Sequence, residues 1–245
     1  MSSDQWSEKP TGRWPLATER METRPLLLGH RGARGEKTVP ENTLASFDLA
    51  LAQGCDGFEF DVRLTADGQP VICHDATATM SGLKIAESTV QQLGLLLLST
   101  VLTRYRSTAF LDIELKVSGL EKITVDLLRK LAPARGFVVS SFFPEVLTSI
   151  HDLDTTVPLG LICETGSQLS LWRQAPVAYV IPHCKLVRQG LISEIRTAGK
   201  KILVWTVNAP ADMKRFSKWG VDGAISDNPR QLALTLGSKI QNPQP

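Results

Sequence analysis

The chain alternates short apolar runs with amphipathic helical patterns, and that alternation limits its possible folds more than any other feature. The runs are Leu26–Gly29, Gly57–Asp61, Phe110–Leu115, Phe137–Ser141, Pro158–Ile162, Ala178–Ile181, Ile202–Val207 and Gly223–Ser226. Between them lie helical stretches that include Glu41–Gln53, Leu120–Leu131, Pro144–His151, Leu186–Ala198, Ala209–Lys218 and Pro229–Leu236. Gly54, Gly199 and Gly220 stand where helix C-caps fall.

Apolar runs that read as continuous rather than alternating belong to strands buried on both faces, as in a parallel sheet covered by helices. Eight strand–helix units in about 220 residues are the count and length of a (β/α)₈ barrel. The sequence therefore predicts an α/β chain of TIM-barrel type, over residues 25–237, with a short insertion after the second strand. An open doubly wound sheet is the alternative. Residues 1–24 are polar, carry two prolines and lack periodicity, which marks a loose arm, and residues 238–245 read as a similar tail.

The bulk composition excludes several classes. A net charge of +2 without a basic run argues against nucleic acid. No apolar run reaches the ~18 residues of a membrane span, and residues 1–24 show no apolar core of a secretory signal. Cys55, Cys73, Cys163 and Cys184 lack metal-finger spacing and read as small buried residues in a reducing compartment. The expectation is a soluble, cytoplasmic protein.

In such a barrel, chemistry gathers at the C-terminal ends of the strands. The first run ends in His30-Arg31. The second, GFEFDVR, carries Glu59 and Asp61 two residues apart, hence on one face of the strand. The third, FLDIELK, puts Glu114 and Lys116 on one face, with Asp112 further back. Three carboxylates at one mouth repel each other unless a cation joins them, and hard oxygen ligands suit Mg²⁺ or Ca²⁺, with Mn²⁺ also accepted. The plainer alternative is that Glu59, Asp61 and Glu114 merely pair with Arg63, Lys116 and other bases.

After the second run, a turn at Asp67-Gly68 and a short strand Gln69–Cys73 would return His74 to the same mouth. A lone histidine is ordinarily structural. Two at the exits of adjacent elements, beside a cation site, are an acid–base pair able to act on opposite sides of a substrate. Arg31 and Lys116 supply positive charge for phosphate oxygens. Together these residues describe phosphoryl transfer better than glycoside hydrolysis.

The segments HRGARGEKTVPENTLASF, GFEFDVRLTADGQPVICHD, DIELK, VVSSF, VWTVN and GVDGAISDNP resemble, in that order, the motifs of the glycerophosphodiester phosphodiesterases. The resemblance runs from about Leu26 to Leu236. It implies a barrel that hydrolyses sn-glycerol-3-phosphodiesters to glycerol 3-phosphate and an alcohol with one divalent cation. It assigns Glu59, Asp61 and Glu114 to the metal, His30 and His74 to acid–base catalysis, and Arg31 and Lys116 to the phosphate. Trp205 resembles the family tryptophan that walls the glycerol pocket; rim packing is its other reading. Glu41-Asn42 reads as a helix N-terminus device rather than a site element, and Asp227 as loop structure or support for the site.

The chain departs from the family pattern after His74-Asp75. The usual H-D-x-T-x-x-R-T string stands as HDATATMSG, without its arginine, and the segment leading to Glu114 is short. A more open mouth is expected, which leaves a second substrate class in play. Acylated glycerophosphodiesters would make the enzyme a lysophospholipase D, with Leu93–Leu102 either lining the acyl path or forming a buried helix. A barrel that binds a phosphodiester without turnover is the non-enzymatic alternative.

Overall fold

The computed structural model describes residues 24–237. Residues 1–23 of the expected arm, and the tail 238–245, lie outside the described residues. Arg24, read above as the last residue of the arm, belongs to the folded part: its guanidinium grips Asp56 through two contacts of 2.6 and 2.8 Å.

Among the described residues, nine strands and nine α-helices follow in order: β1 (Leu26–His30), α1 (Leu44–Ala52), β2 (Gly57–Leu64), β3 (Pro70–Ile72), α2 (Val90–Leu93), α3 (Leu98–Tyr105), β4 (Phe110–Leu115), α4 (Glu121–Lys130), β5 (Phe137–Ser141), α5 (Pro144–Leu153), β6 (Leu159–Cys163), α6 (Gly166–Ser170), β7 (Tyr179–Pro182), α7 (Gln189–Thr197), β8 (Lys201–Val204), α8 (Pro210–Trp219), β9 (Gly223–Ser226) and α9 (Pro229–Leu236). Eight of the strands run parallel in the ring β1-β2-β4-β5-β6-β7-β8-β9, which closes where β9 pairs with β1. The fold is a closed (β/α)₈ barrel, and the open-sheet alternative falls with that closure. β3 is the inserted strand, antiparallel on β2.

Alternation along each strand divides the apolar residues into two cores. Leu26, Leu28, Phe110, Val138, Ile181, Leu203 and Ile225 fill the barrel interior. Leu27, Phe58, Phe60, Leu111, Ile113 and Val139 face outward onto the helices. Phe47 of α1 stacks on Phe58 with ring centroids 4.2 Å apart, which fixes α1 against β2. Gly57 has no room for a side chain, because a Cβ there would stand 1.8 Å from the Phe110 carbonyl oxygen of the neighbouring strand.

The insertion between β2 and β4 has its own small core of Val71, Ala78, Ile85 and Leu93. The leucine run Leu93–Leu102 does not form one helix. Gly94 closes α2 in the left-handed conformation (φ 62°), and α3 starts afresh at Leu98. Leu98, Val101 and Leu102 are buried against the barrel. No residue of this run lines the mouth cavity described below.

Candidate active site

The barrel register stacks the polar residues in two layers. His30 lies level with Glu59, and Glu59 with Asp112; one step further toward the mouth, Asp61 lies level with Glu114. All five side chains are buried. One oxygen each of Glu59, Asp61 and Glu114 lie within 4.8 Å of one another. Glu59 Oε1 accepts no hydrogen bond, while Asp61 Oδ1 and Glu114 Oε1 share a single ammonium, that of Lys116, at 3.4 and 2.7 Å.

Three converging buried carboxylates with fewer donors than acceptor oxygens are what a cation site offers and what a stable apolar core avoids. Burial, then the charges of Asp61 and Glu114, push the Glu59 carboxyl well above the usual carboxylate range. Burial and Asp61 push Glu114 up to about 8, against the pull of Lys116. Burial acts on Asp61 in the same direction, yet Lys116, Arg31 and a hydrogen bond from Asn42 hold it below its ordinary value. The donor set is hard, anionic and under-neutralised, and it fits a divalent cation.

The two basic residues are already engaged. Lys116 Nζ lies 2.7 Å from Glu114 and 3.4 Å from Asp61. Arg31 donates to Glu41 at 2.6 Å, while its Nε approaches Asp61 at 3.1 Å without hydrogen-bond alignment. Arg63, the other base offered to the carboxylates by the ion-pair alternative, turns elsewhere: its Nε donates to the His74 carbonyl at 2.7 Å.

His30 is held at both ends of its ring. Nδ1 lies 2.7 Å from Asp227 Oδ1, and Nε2 lies 3.8 Å from Glu59 Oε2. Asn208 donates to the other oxygen of Asp227 at 2.7 Å, and Arg34 donates to Oδ1 at 3.2 Å. Burial opposes ionisation of Asp227, but the hydrogen bonds from His30 and Asn208 hold its carboxyl far below the usual range. His74 follows β3 and pairs through Nδ1 with Asp75 at 2.7 Å. Burial holds its ring below the ordinary histidine range, against Asp61 and Asp75. His30 and His74 line the same cavity, of about 330 Å³, together with Arg31, Lys116, Glu59 and Glu114.

Trp205 also lines this cavity, packed edge-on against Phe142 at 5.6 Å, and its Nε1 donates to the Ile181 carbonyl at 2.9 Å. Wall and rim packing are therefore both true of it.

Glu41 and Asn42 correct the helix-terminus reading. The helix starts three residues later than its pattern indicated, with Thr43 as the cap accepting from the Ser46 amide. Asn42 takes a left-handed conformation (φ 58°), donates from Nδ2 to Asp61 at 2.8 Å and accepts from the Asp61 amide at 3.3 Å. Glu41 holds both Arg31 and Arg34. Both serve the site, as does Asp227. Phe142, Glu164 and Asn208 were missed. Asn208 stands immediately after the seventh run and closes the VWTVN segment, and Phe142 closes the VVSSF segment; Glu164 had only its place just past β6.

A closed parallel barrel with carboxylates, two histidines and two paired cations at one mouth is a barrel enzyme of the phosphoryl-transfer type. The chain belongs to the glycerophosphoryl diester phosphodiesterase family, whose model matches residues 30–110 and 105–231. A glycerophosphodiester phosphodiesterase of Caldanaerobacter subterraneus subsp. tengcongensis is 29% identical over 236 residues, covering 84% of this chain and 96% of the relative. Among solved structures, an Oleispira antarctica phosphodiesterase in complex with the product sn-glycerol-3-phosphate superposes with a TM-score of 0.75 at 26% identity, over 86% of this chain and 96% of the other. A glycerophosphodiester phosphodiesterase from Thermotoga maritima gives a TM-score of 0.75 at 23% identity, over 86% and 97%. No helix among the described residues is long and apolar enough to cross a membrane.

Proposed function

We propose that this chain hydrolyses sn-glycerol-3-phosphodiesters to glycerol 3-phosphate and an alcohol, using His30 and His74 as the acid–base pair and one divalent cation, Mg²⁺, Ca²⁺ or Mn²⁺, in phospholipid turnover. The observation that carries the reading is the convergence of both histidines on one cavity with Glu59 and Glu114, whose carboxylates come together with that of Asp61. The family membership and the glycerol 3-phosphate bound by the Oleispira relative support the substrate class.

Glu59, Asp61 and Glu114 would hold the cation, which supplies charge neutralisation for the phosphate oxygens. Arg31 and Lys116 add positive charge and orient the diester. Asp227 accepts the His30 Nδ1 proton, which leaves Nε2 for proton transfer. His74, its ring held below the ordinary histidine range by burial, faces the cavity from the β3 side. One histidine takes the proton of the nucleophile as the new P–O bond forms. The other protonates the departing alcohol oxygen as the old bond breaks. The nucleophile is water or the glycerol 2-hydroxyl, and trapping of a cyclic phosphate tells them apart.

The test is release of glycerol 3-phosphate from glycerophosphocholine by EDTA-stripped protein, with Mg²⁺, Ca²⁺ or Mn²⁺ restored singly. Turnover that returns with a cation and vanishes in His30→Ala and His74→Ala supports the assignment. Full turnover in either histidine variant overturns it.

A further inference from the structure

Two carboxylates that line the cavity belong to neither the cation site nor the histidine pair: Asp112, buried and bonded by Ser140 at 2.6 Å, and Glu164. Glu164 follows the last residue of β6 and lines the cavity, and its side chain is exposed. Its backbone amide donates to Gln168 at 2.9 Å; its carboxylate is bonded by no lysine or arginine among the described residues, and its charge acts on His183. In the closed ring β6 stands four strands from β1 in either direction. Glu164 therefore faces His30 and Arg31 from the opposite side of the mouth. Phe142, just past β5, and Trp205, just past β8, flank the span between them and line the same cavity.

An unpaired carboxylate at the rim of an anion-binding mouth raises a charge problem. It repels a phosphodiester whose alcohol is neutral. The two buried bases offer it nothing, because Arg31 is held by Glu41 and Asp61, and Lys116 by Glu114 and Asp61. A substrate that brings its own positive charge removes the conflict. A carboxylate and a tryptophan lining one cavity also attract ammonium and quaternary ammonium groups; the Phe142 ring is already faced by Lys116 Nζ at 5.6 Å, so that part falls to Trp205.

We propose, resting on the phosphodiesterase reading above, that Glu164 with Trp205 selects diesters whose departing alcohol is cationic. Phosphorus then lies at the histidine and carboxylate side of the mouth, and the positive head group lies across it at β6. Glu164 is a specificity residue for the head group and takes no part in bond breaking.

The test compares kcat/KM for glycerophosphocholine and for glycerophosphoglycerol, whose alcohol is neutral, in the wild type, Glu164→Gln and Glu164→Lys. An exposed charge contact and a cation–π contact together are worth about a 3- to 10-fold preference. Glu164→Gln is expected to lower the rate on glycerophosphocholine and raise it on glycerophosphoglycerol, shifting their ratio about 5-fold or more. Glu164→Lys is expected to shift it further in the same direction. An equal fall on both substrates would make Glu164 a contact for the shared glycerol and overturn the proposal. An unchanged ratio overturns it as well, with the phosphodiesterase reading intact. Absence of glycerol 3-phosphate from both substrates in the wild type overturns that underlying reading, and this inference with it.

Discussion

His30 Nδ1 lies 2.7 Å from Asp227 Oδ1, although 197 positions separate the two residues in the chain. The closure of β9 onto β1 joins them, since the strand carrying His30 pairs directly with the strand that Asp227 follows. The contact sets which ring nitrogen of His30 faces the cavity, and so turns a strand-end histidine into an oriented one.

Asp227→Asn replaces the negative charge and one of the two acceptor oxygens, which His30, Asn208 and Arg34 share, by an NH₂ donor while keeping the side-chain shape. The expected outcome is a fall in kcat on the order of 10²-fold with KM little changed, by analogy with other oriented histidines. Steady-state kinetics of the folded variant checks it. A kcat within twofold of wild type would show that Asp227 serves only the loop.

The raised carboxyls of Glu59 and Glu114 make cation binding compete with protons. Glu114, at about 8, holds its proton at mildly acidic pH in the cation-free protein, and the Glu59 carboxyl is displaced in the same direction. Cation affinity is therefore expected to weaken as pH falls below about 8, by up to about tenfold per pH unit for each proton displaced. Isothermal titration of Mg²⁺ or Ca²⁺ at pH 6 and pH 8.5 measures this.

The same groups set the stability of the cation-free protein with a definite sign. Their folded pKa values exceed the unfolded ones, so the folded state binds more protons between about 4.3 and 8. Stability contributed by these carboxyls is present below that window and is lost as pH rises through it. Without cation, the melting temperature is expected to drop from pH 6 to pH 8.5. With saturating cation the drop should shrink, and in Glu114→Gln it should shrink without cation. A thermal melt across pH, with EDTA or metal, decides it.

Asn42 joins backbone conformation to the site through its bonds with Asp61. Asn42→Gly keeps the left-handed backbone but removes the donor to a buried carboxylate, at a cost of about 1–3 kcal/mol. Asn42→Ala adds about 1–2 kcal/mol for a β-carbon in the left-handed region. Urea unfolding should rank wild type above glycine and glycine above alanine. Alanine equal to glycine would remove the backbone part of the argument.

The strand periodicity was legible because each apolar run carries its own local pattern. All eight barrel strands overlap their runs, with ends displaced by a few residues; the seventh run, Ile202–Val207, ends as strand at Val204. Glu59-x-Asp61 and Glu114-x-Lys116 could be placed on single faces for the same reason, since alternation is a property of each strand alone. The N-terminal end of α1 misled because a proline, an acid and an asparagine ahead of an apolar period look like a cap. The competing demand, the buried Asp61 amide and carboxylate, lies 19 positions away.

By itself, then, the sequence determined the number of strand–helix units, the faces of the strands and the residues gathered at their exits, all of which follow from spacing along one segment. Only the closed barrel decided who partners whom. Asp227 meets His30, Asn42 meets Asp61, Arg63 turns to the His74 backbone, and Glu164 faces the mouth from the far strand. Those choices depend on ring closure and on competition among buried charges for a few donors, and both exist only once distant segments share one low-dielectric space.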